Sequence, residues 1–148
     1  KYEGLRHNTE ADSYTALEAE MEDGSPWFAV VNASLLDWDS KASHPWILRV
    51  DIKFQGAHRG LPDNDQAALL NAFEDAIISE LKDSDGYLNI GRETFANERA
   101  IYFACHEFRK PAKVLEGMRT SGGYTFDISY ELYKDKYWQS LERFKPAP

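Results

Sequence analysis

The order strand, helix, strand, strand, helix, strand over residues 46–132 predicts an α+β fold. More closely, it predicts a ferredoxin-like β-α-β-β-α-β sandwich with an added N-terminal β-hairpin and a C-terminal helix. Two patterns carry that reading. In Trp46 to Phe54 the even positions are apolar while Arg49, Asp51 and Lys53 take the other face, which is the period of a strand. Beyond it, Leu70, Phe73, Ile77 and Leu81 recur at helical spacing behind Asp63, a good N-cap, giving a helix to about Lys82.

The remaining elements follow in order. Leu17, Ala19 and Met21 alternate with Glu18, Glu20 and Glu22, a half-buried strand; Asp23-Gly24-Ser25-Pro26 is turn chemistry, and Trp27 to Leu35 is its apolar return strand. Asp37 to Ser43 is a polar linker. After the first frame helix, Tyr87 to Phe95 and Arg99 to Glu107 are strands joined at Ala96-Asn97-Glu98. Pro111 suits the first turn of a second helix that ends near Gly122-Gly123. Tyr124, Phe126, Ile128, Tyr130 and Leu132 alternate with polar residues as the last frame strand, and a helix from about Lys136 to Phe144 closes on Pro146. The chain is read as one domain: a loose segment at 1–12, a hairpin at 13–36, the frame at 46–132 and the last helix at 135–145. Both frame helices belong on one sheet face. The opposite face should show Arg49, Asp51 and Lys53 against Asp127, Ser129 and Glu131, a ladder of cross-strand ion pairs.

Composition narrows the function. With 148 residues, 43% of them hydrophobic, the chain can bury a core without metal or disulfide. Its net charge is −8, and residues 1–45 hold nine acids against three bases. Such a surface repels phosphates, so no direct nucleic-acid binding is expected, and a basic protein partner is favoured. No apolar run spans a bilayer, so no membrane role is expected and the cytoplasm is the expected compartment; the opening on Lys1 rather than Met leaves a processed leader open. Asn32-Ala33-Ser34 matches a glycosylation sequon by accident of a strand.

Chemical motifs are sparse. Cys105 and His106 are strand neighbours that point to opposite faces, so they form no nucleophile–base pair, and Cys105 reads as a core thiol. His106-Glu107 opens like a zinc-protease motif, but Lys110 stands where the second histidine belongs. His7, His44 and His58 have no ligand spacing, so neither a metal nor a cofactor is expected. Phosphate-binding glycine patterns are missing. Glu74-Asp75 diverge on a helix and read as surface charge. Arg92, Glu93, Thr94 and Arg99 flank the central hairpin, either bridging it or recognising an acidic group. Tyr102 is the central-strand aromatic that a sheet-face binding site would use. Glu18, Glu20 and Glu22 form a carboxylate row, with Glu10, Asp12 and Asp23 nearby; it either protects an edge strand or meets a basic partner. Candidate binding residues are therefore Glu18, Glu20, Glu22, Arg92, Arg99 and Tyr102, with no catalytic set.

Several segments resemble the bacterial domain of unknown function 695 family. They are His44-Pro45-Trp46, Gly60-Leu61-Pro62, Phe73-Glu74-Asp75, Gly91-Arg92-Glu93-Thr94, Ile101-Tyr102-Phe103 and Asp135-Lys136-Tyr137-Trp138. This family is distantly similar to the B-type regulator of ribonuclease E activity, which acts by binding the enzyme. The resemblance implies a protein-binding regulator. Small size, acidity and the missing catalytic motifs extend that expectation to a non-enzymatic regulator of a basic partner such as a nuclease or toxin, the latter in the manner of an immunity protein. A small-ligand-binding or enzymatic site assembled from distant residues is the alternative.

Overall fold

Six antiparallel strands form a single sheet, backed on both faces, in this computed structural model, which describes residues 2–7, 12–56 and 59–145. Glu10, His58 and Pro146 lie outside the described residues. The strands are β1 (Tyr14–Glu20), β2 (Pro26–Asn32), β3 (Trp46–Lys53), β4 (Tyr87–Phe95), β5 (Glu98–Cys105) and β6 (Asp127–Lys134), in the order β1-β2-β4-β5-β3-β6. The helices are α1 (Ala33–Leu36), α2 (Asn64–Glu80) and α3 (Arg109–Thr120), with a C-terminal 3₁₀ segment at Gln139–Phe144. The architecture is α+β. Among the described residues no helix is long and apolar enough to cross a membrane.

Alternation in β3 sorts its side chains as the sequence predicts. Leu48, Val50, Ile52 and Phe54 pack with Leu70, Phe73 and Ile77 of α2, Leu115 of α3, and Ile101, Phe103 and Cys105 of β5. Both longer helices therefore share one face. Asp63 caps α2, its carboxylate accepting from the Gln66 amide at 2.8 Å. At α3 the cap comes from one residue further out: Glu107 accepts from the Arg109 amide at 2.6 Å and the Lys110 amide at 3.1 Å.

The other face is more apolar than a solvated ladder. Ile47, Leu88, Ile90, Ala100, Tyr102 and Ala104 meet Leu35 and Leu36 of α1 and Trp138, Leu141 and Phe144 of the C-terminal segment. Trp138 is 1% exposed and donates its indole N–H to the His44 carbonyl at 2.8 Å. That bond ties the C-terminus to the start of β3. Arg49 and Lys53 do sit opposite Glu131 and Asp127, but their ion pairs go elsewhere. Arg49 bonds Asp51 on its own strand at 3.0 Å, and Lys53 reaches Glu98 of β5 at 3.9 Å.

Several elements differ from expectation: β1 ends at Glu20 rather than Glu22, and β5 runs Glu98–Cys105 rather than Arg99 to Glu107. The return strand of the hairpin ends at Asn32, because Ala33–Leu36 turn into α1 and bury Leu35 and Leu36. Asn32 is itself 1% exposed, which closes the sequon to glycosylation. Tyr124 and Phe126 precede β6 and stack edge-on against Phe73 rather than joining the ladder. The C-terminal element is a 3₁₀ segment held by Trp138 in the left-handed region, not an α-helix.

One irregularity sets the phase of β4. Asn89 pairs with Phe103 and Gly91 with Tyr102, so Ile90 is an extra residue. Gly91 has φ 155°, and a Cβ there would lie 2.3 Å from the Val30 carbonyl oxygen. A side chain at 91 would collide with the β2 backbone, so one of the two strands would have to shift. Downstream of this bulge, Arg92 and Thr94 point toward α2 and Glu93 points away.

Candidate functional site

Register alone assembles the site. Glu18 pairs with Phe28, Phe28 with Thr94, and Thr94 with Arg99, one transverse row across β1, β2, β4 and β5. Directly paired residues share a face, and this is the face that carries α2. A second row beside it runs Ala16, Val30, Arg92. The carboxylates of Glu18 and Glu20 and the guanidiniums of Arg92 and Arg99 therefore belong to one surface. Strand spacing of about 4.8 Å puts Glu18 roughly 10 Å from Thr94 along the row.

The acidic end is open. Glu18, Glu20 and Glu22 are exposed, the first two on the outermost strand and Glu22 in the turn that follows. Beside them on the same face, Tyr14 is 54% and Phe28 36% exposed. The leaf thus presents carboxylates among aromatic rings.

The basic end is recessed. Arg99 is 7% exposed, donating from Nε to Thr94 Oγ1 at 3.1 Å and from Nη1 to Asn71 Oδ1 at 2.9 Å. Among the described residues no carboxylate forms an ion pair with it. Burial pushes its pKa down to about 10; the like charge of Arg92 adds to this and Glu74 opposes it. Arg92 donates to Glu74 Oε1 at 3.3 Å, and Asn89 donates to Glu74 Oε2 at 3.3 Å. Glu74 is therefore not surface charge: it is 4% exposed and engaged through both oxygens. Asp75, its neighbour, does face solvent. Phe28, Val30, Leu61 and Pro62 complete a cavity of about 260 Å³ against Arg92, Thr94 and Arg99. Arg59, in the loop leading to Leu61, donates to the Gly24 carbonyl and ties that loop to the β1–β2 turn.

Tyr102 does not join this surface. It lies on the opposite face, 2% exposed, with its hydroxyl donating to Glu93 Oε2 at 2.5 Å. Glu93 also accepts from Trp27 Nε1 at 3.0 Å and from Arg143 Nη1 and Nη2 at 3.0 and 2.5 Å. Burial works to raise the Glu93 pKa, but the bonds from Arg143, Tyr102 and Trp27 outweigh it and hold the carboxyl below its ordinary range. Burial and then Glu93 push the Tyr102 phenol up. The flanking charges of the hairpin consequently do not bridge one another: Arg92 goes to α2 and Glu93 to the C-terminal segment. With four bonds from its surroundings, this cluster is a strut, not a reactive centre.

The histidines are likewise dispersed. His7 bonds Asp12 at 2.9 Å, while His44 is fully buried against the rings of Trp38 and Tyr2. Its Nδ1 meets the Ser43 hydroxyl at 2.8 Å, and Nε2 has no partner among the described residues. Cys105 is buried beneath α3, its thiol pushed up by burial and, to a lesser degree, by Glu107. Among the described residues no cluster of three or more His, Cys, Asp or Glu is placed to hold a metal ion.

Reasoning from sequence missed Phe28, Val30, Leu61, Pro62 and Asn71. It also misplaced Glu74, although a signal was present. Position 74 lies within the apolar stripe 70, 73, 77, 81, so its side chain had to turn inward with its neighbours.

The α2 face of the antiparallel sheet thus carries a mixed-charge groove, with Glu18 and Glu20 at one end and Arg92 and Arg99 at the other. The model of the family of unknown function DUF695 matches residues 17–144, so the chain belongs to that family. The match takes in β1 from Leu17 onward and the C-terminal segment to Phe144, which is also the extent of the two cores. No curated protein and no solved structure is significantly similar to the chain.

Proposed function

We propose that this chain is a non-enzymatic protein-binding regulator that docks a basic partner, such as a nuclease or toxin, on the leaf formed by β1 and β2. One observation carries the reading: Glu18 and Glu20 stand exposed on the outermost strand, on the same face as the exposed rings of Tyr14 and Phe28. Aromatic rings supply contact area, and the carboxylate rim supplies steering and selectivity for positive charge. The net charge of −8 strengthens the same preference at long range.

We further infer that strands β3 to β6 constitute a ferredoxin-type split β-α-β frame. Supporting this are the order β6-β3-β5-β4 and the packing of α2 and α3 on one face. The β1–β2 hairpin extends that frame past β4 and supplies the leaf. A role exerted by binding is also what a distant relation of the family to the B-type regulator of ribonuclease E activity would imply.

Capture from lysate of the source cell tests the reading. Basic proteins should be retained at low salt and released at high salt, because contacts between exposed charges are screened as ionic strength rises. A blank at both salts overturns it.

A further inference from the structure

We propose that the cavity between Arg92 and Arg99 binds a small apolar monocarboxylate, gripped by the Arg99 guanidinium and packed against Phe28, Val30, Leu61 and Pro62. This site shares Phe28 with the β1–β2 leaf, but it is anchored on Arg99 of β5 and stands whether or not that leaf docks a protein.

Burying a guanidinium is costly unless hydrogen bonds and an opposite charge compensate it. At 7% exposure Arg99 is nearly as buried as the core, yet its only described bonds are to two neutral oxygens, Thr94 Oγ1 and Asn71 Oδ1. A guanidinium has five N–H donors. Thr94 and Asn71 occupy one donor on Nε and one on Nη1, fixing the plane of the fork and leaving Nη2 uncommitted among the described residues. The fork is oriented before any ligand arrives, which lowers the ordering cost of binding.

Charge count selects a monoanion. Two guanidiniums line the cavity, and the Glu74 carboxylate already engages Arg92 at 3.3 Å. Glu74 acts on both guanidiniums but bonds only Arg92, so the three groups keep one net positive charge and Arg99 is the cation with no bonded carboxylate among the described residues. A planar carboxylate matches a guanidinium fork through two parallel bonds. A phosphate dianion would bring a second negative charge next to Glu74 with no cation left to meet it. The walls decide the rest: Phe28, Val30, Leu61 and Pro62 offer no hydrogen-bonding side chain, and a cavity of about 260 Å³ has room for a ring or a short branched chain. Such a ligand buries its apolar body as its carboxylate reaches Arg99.

The test is an NMR titration of the wild-type chain with benzoate, 4-methylpentanoate, benzamide and inorganic phosphate. The carboxylates should give saturable shifts at the Arg99 Nε–H and at the amides of Phe28, Val30 and Thr94, with benzamide and phosphate inert. N-acetyl-leucine binding more tightly than 4-methylpentanoate would assign the carboxylate to a peptide chain end; the reverse order would assign it to a free acid. Arg99→Lys keeps the charge but removes the fork, and should weaken binding about tenfold or more. Since that variant alters a buried site, Arg92→Ala serves beside it. It releases Glu74 next to the cavity and should also weaken the carboxylate. Benzamide or phosphate binding as well as benzoate, or benzoate shifts scattered away from the cavity, would overturn the proposal.

Discussion

Arg143 reaches back fifty positions to grip Glu93 through both carboxylate oxygens, at 3.0 and 2.5 Å. Glu93 is nearly fully buried while Arg143 is half exposed. Stripping one partner leaves a buried charge short of donors, which typically costs more than the pair contributes. Arg143→Ala should therefore destabilise the fold by about 2–3 kcal/mol, below the usual ~3–5 because Arg143 keeps much of its hydration. Glu93→Gln combined with Arg143→Met should cost less than Arg143→Ala alone. Urea denaturation of the three proteins checks the ranking; a double variant weaker than the single one would contradict it.

Trp138 anchors the same segment from its other end. It is 1% exposed, packs with Trp38 at a 6.0 Å ring separation and bonds the His44 carbonyl. Trp138→Ala should cost about 3–5 kcal/mol through the cavity left behind. Trp138→Phe retains most of the packing but strands the carbonyl, a loss of about 1–3 kcal/mol. Thermal melts of the two variants should separate clearly.

His44 gives the fold a pH dependence of defined sign. Burial, with a smaller push from His106, holds its pKa down to about 4 against an ordinary 6.5. Between those values the unfolded chain takes up a proton that the folded chain refuses, so acid favours unfolding. Stability should fall by about 2–3 kcal/mol from pH 7 to pH 4 on this account alone. His44→Asn should be less stable at pH 7 yet lose less on acidification. Urea midpoints across that range would show it, and parallel curves for the two proteins would contradict it.

The β4–β5 turn stores a small strain. Ala96 and Asn97 have φ of 50° and 64°, the left-handed pair of a two-residue hairpin turn. Asparagine tolerates that region; alanine does so at a cost of about 1 kcal/mol or more. Ala96→Gly should raise stability by roughly 0.5–1 kcal/mol. An unchanged or lower melting temperature would count against the strain.

Much of this arrangement was legible in the chain, and the exceptions have identifiable causes. Period two in residues 46–54 marks which side of β3 is buried, because each side chain must alternate. The turn is two residues, Ala96-Asn97, and not the three expected through Glu98, so Thr94 rather than Phe95 pairs with Arg99, and Arg92 falls on their face two residues away. The same parity puts Tyr102, three residues from Arg99, on the opposite side. The bulge at Ile90 shifts the phase of β4 with no cue but Gly91. Contacts between distant segments, such as Glu93 with Arg143 and Arg99 with Asn71, leave no local periodicity at all. They arise only when the sheet and α2 are assembled.

Charge reversal on β1 and the turn after it tests the central claim most directly. With a captured basic partner in hand, association with Glu18, Glu20 and Glu22 all changed to Lys is compared with wild type at low and high salt. The account predicts slower association at low salt, loss of the salt dependence and an almost unchanged melting temperature, since all three side chains are exposed. An on-rate equal to wild type at low salt would contradict it and leave the carboxylate row with no part in recognition.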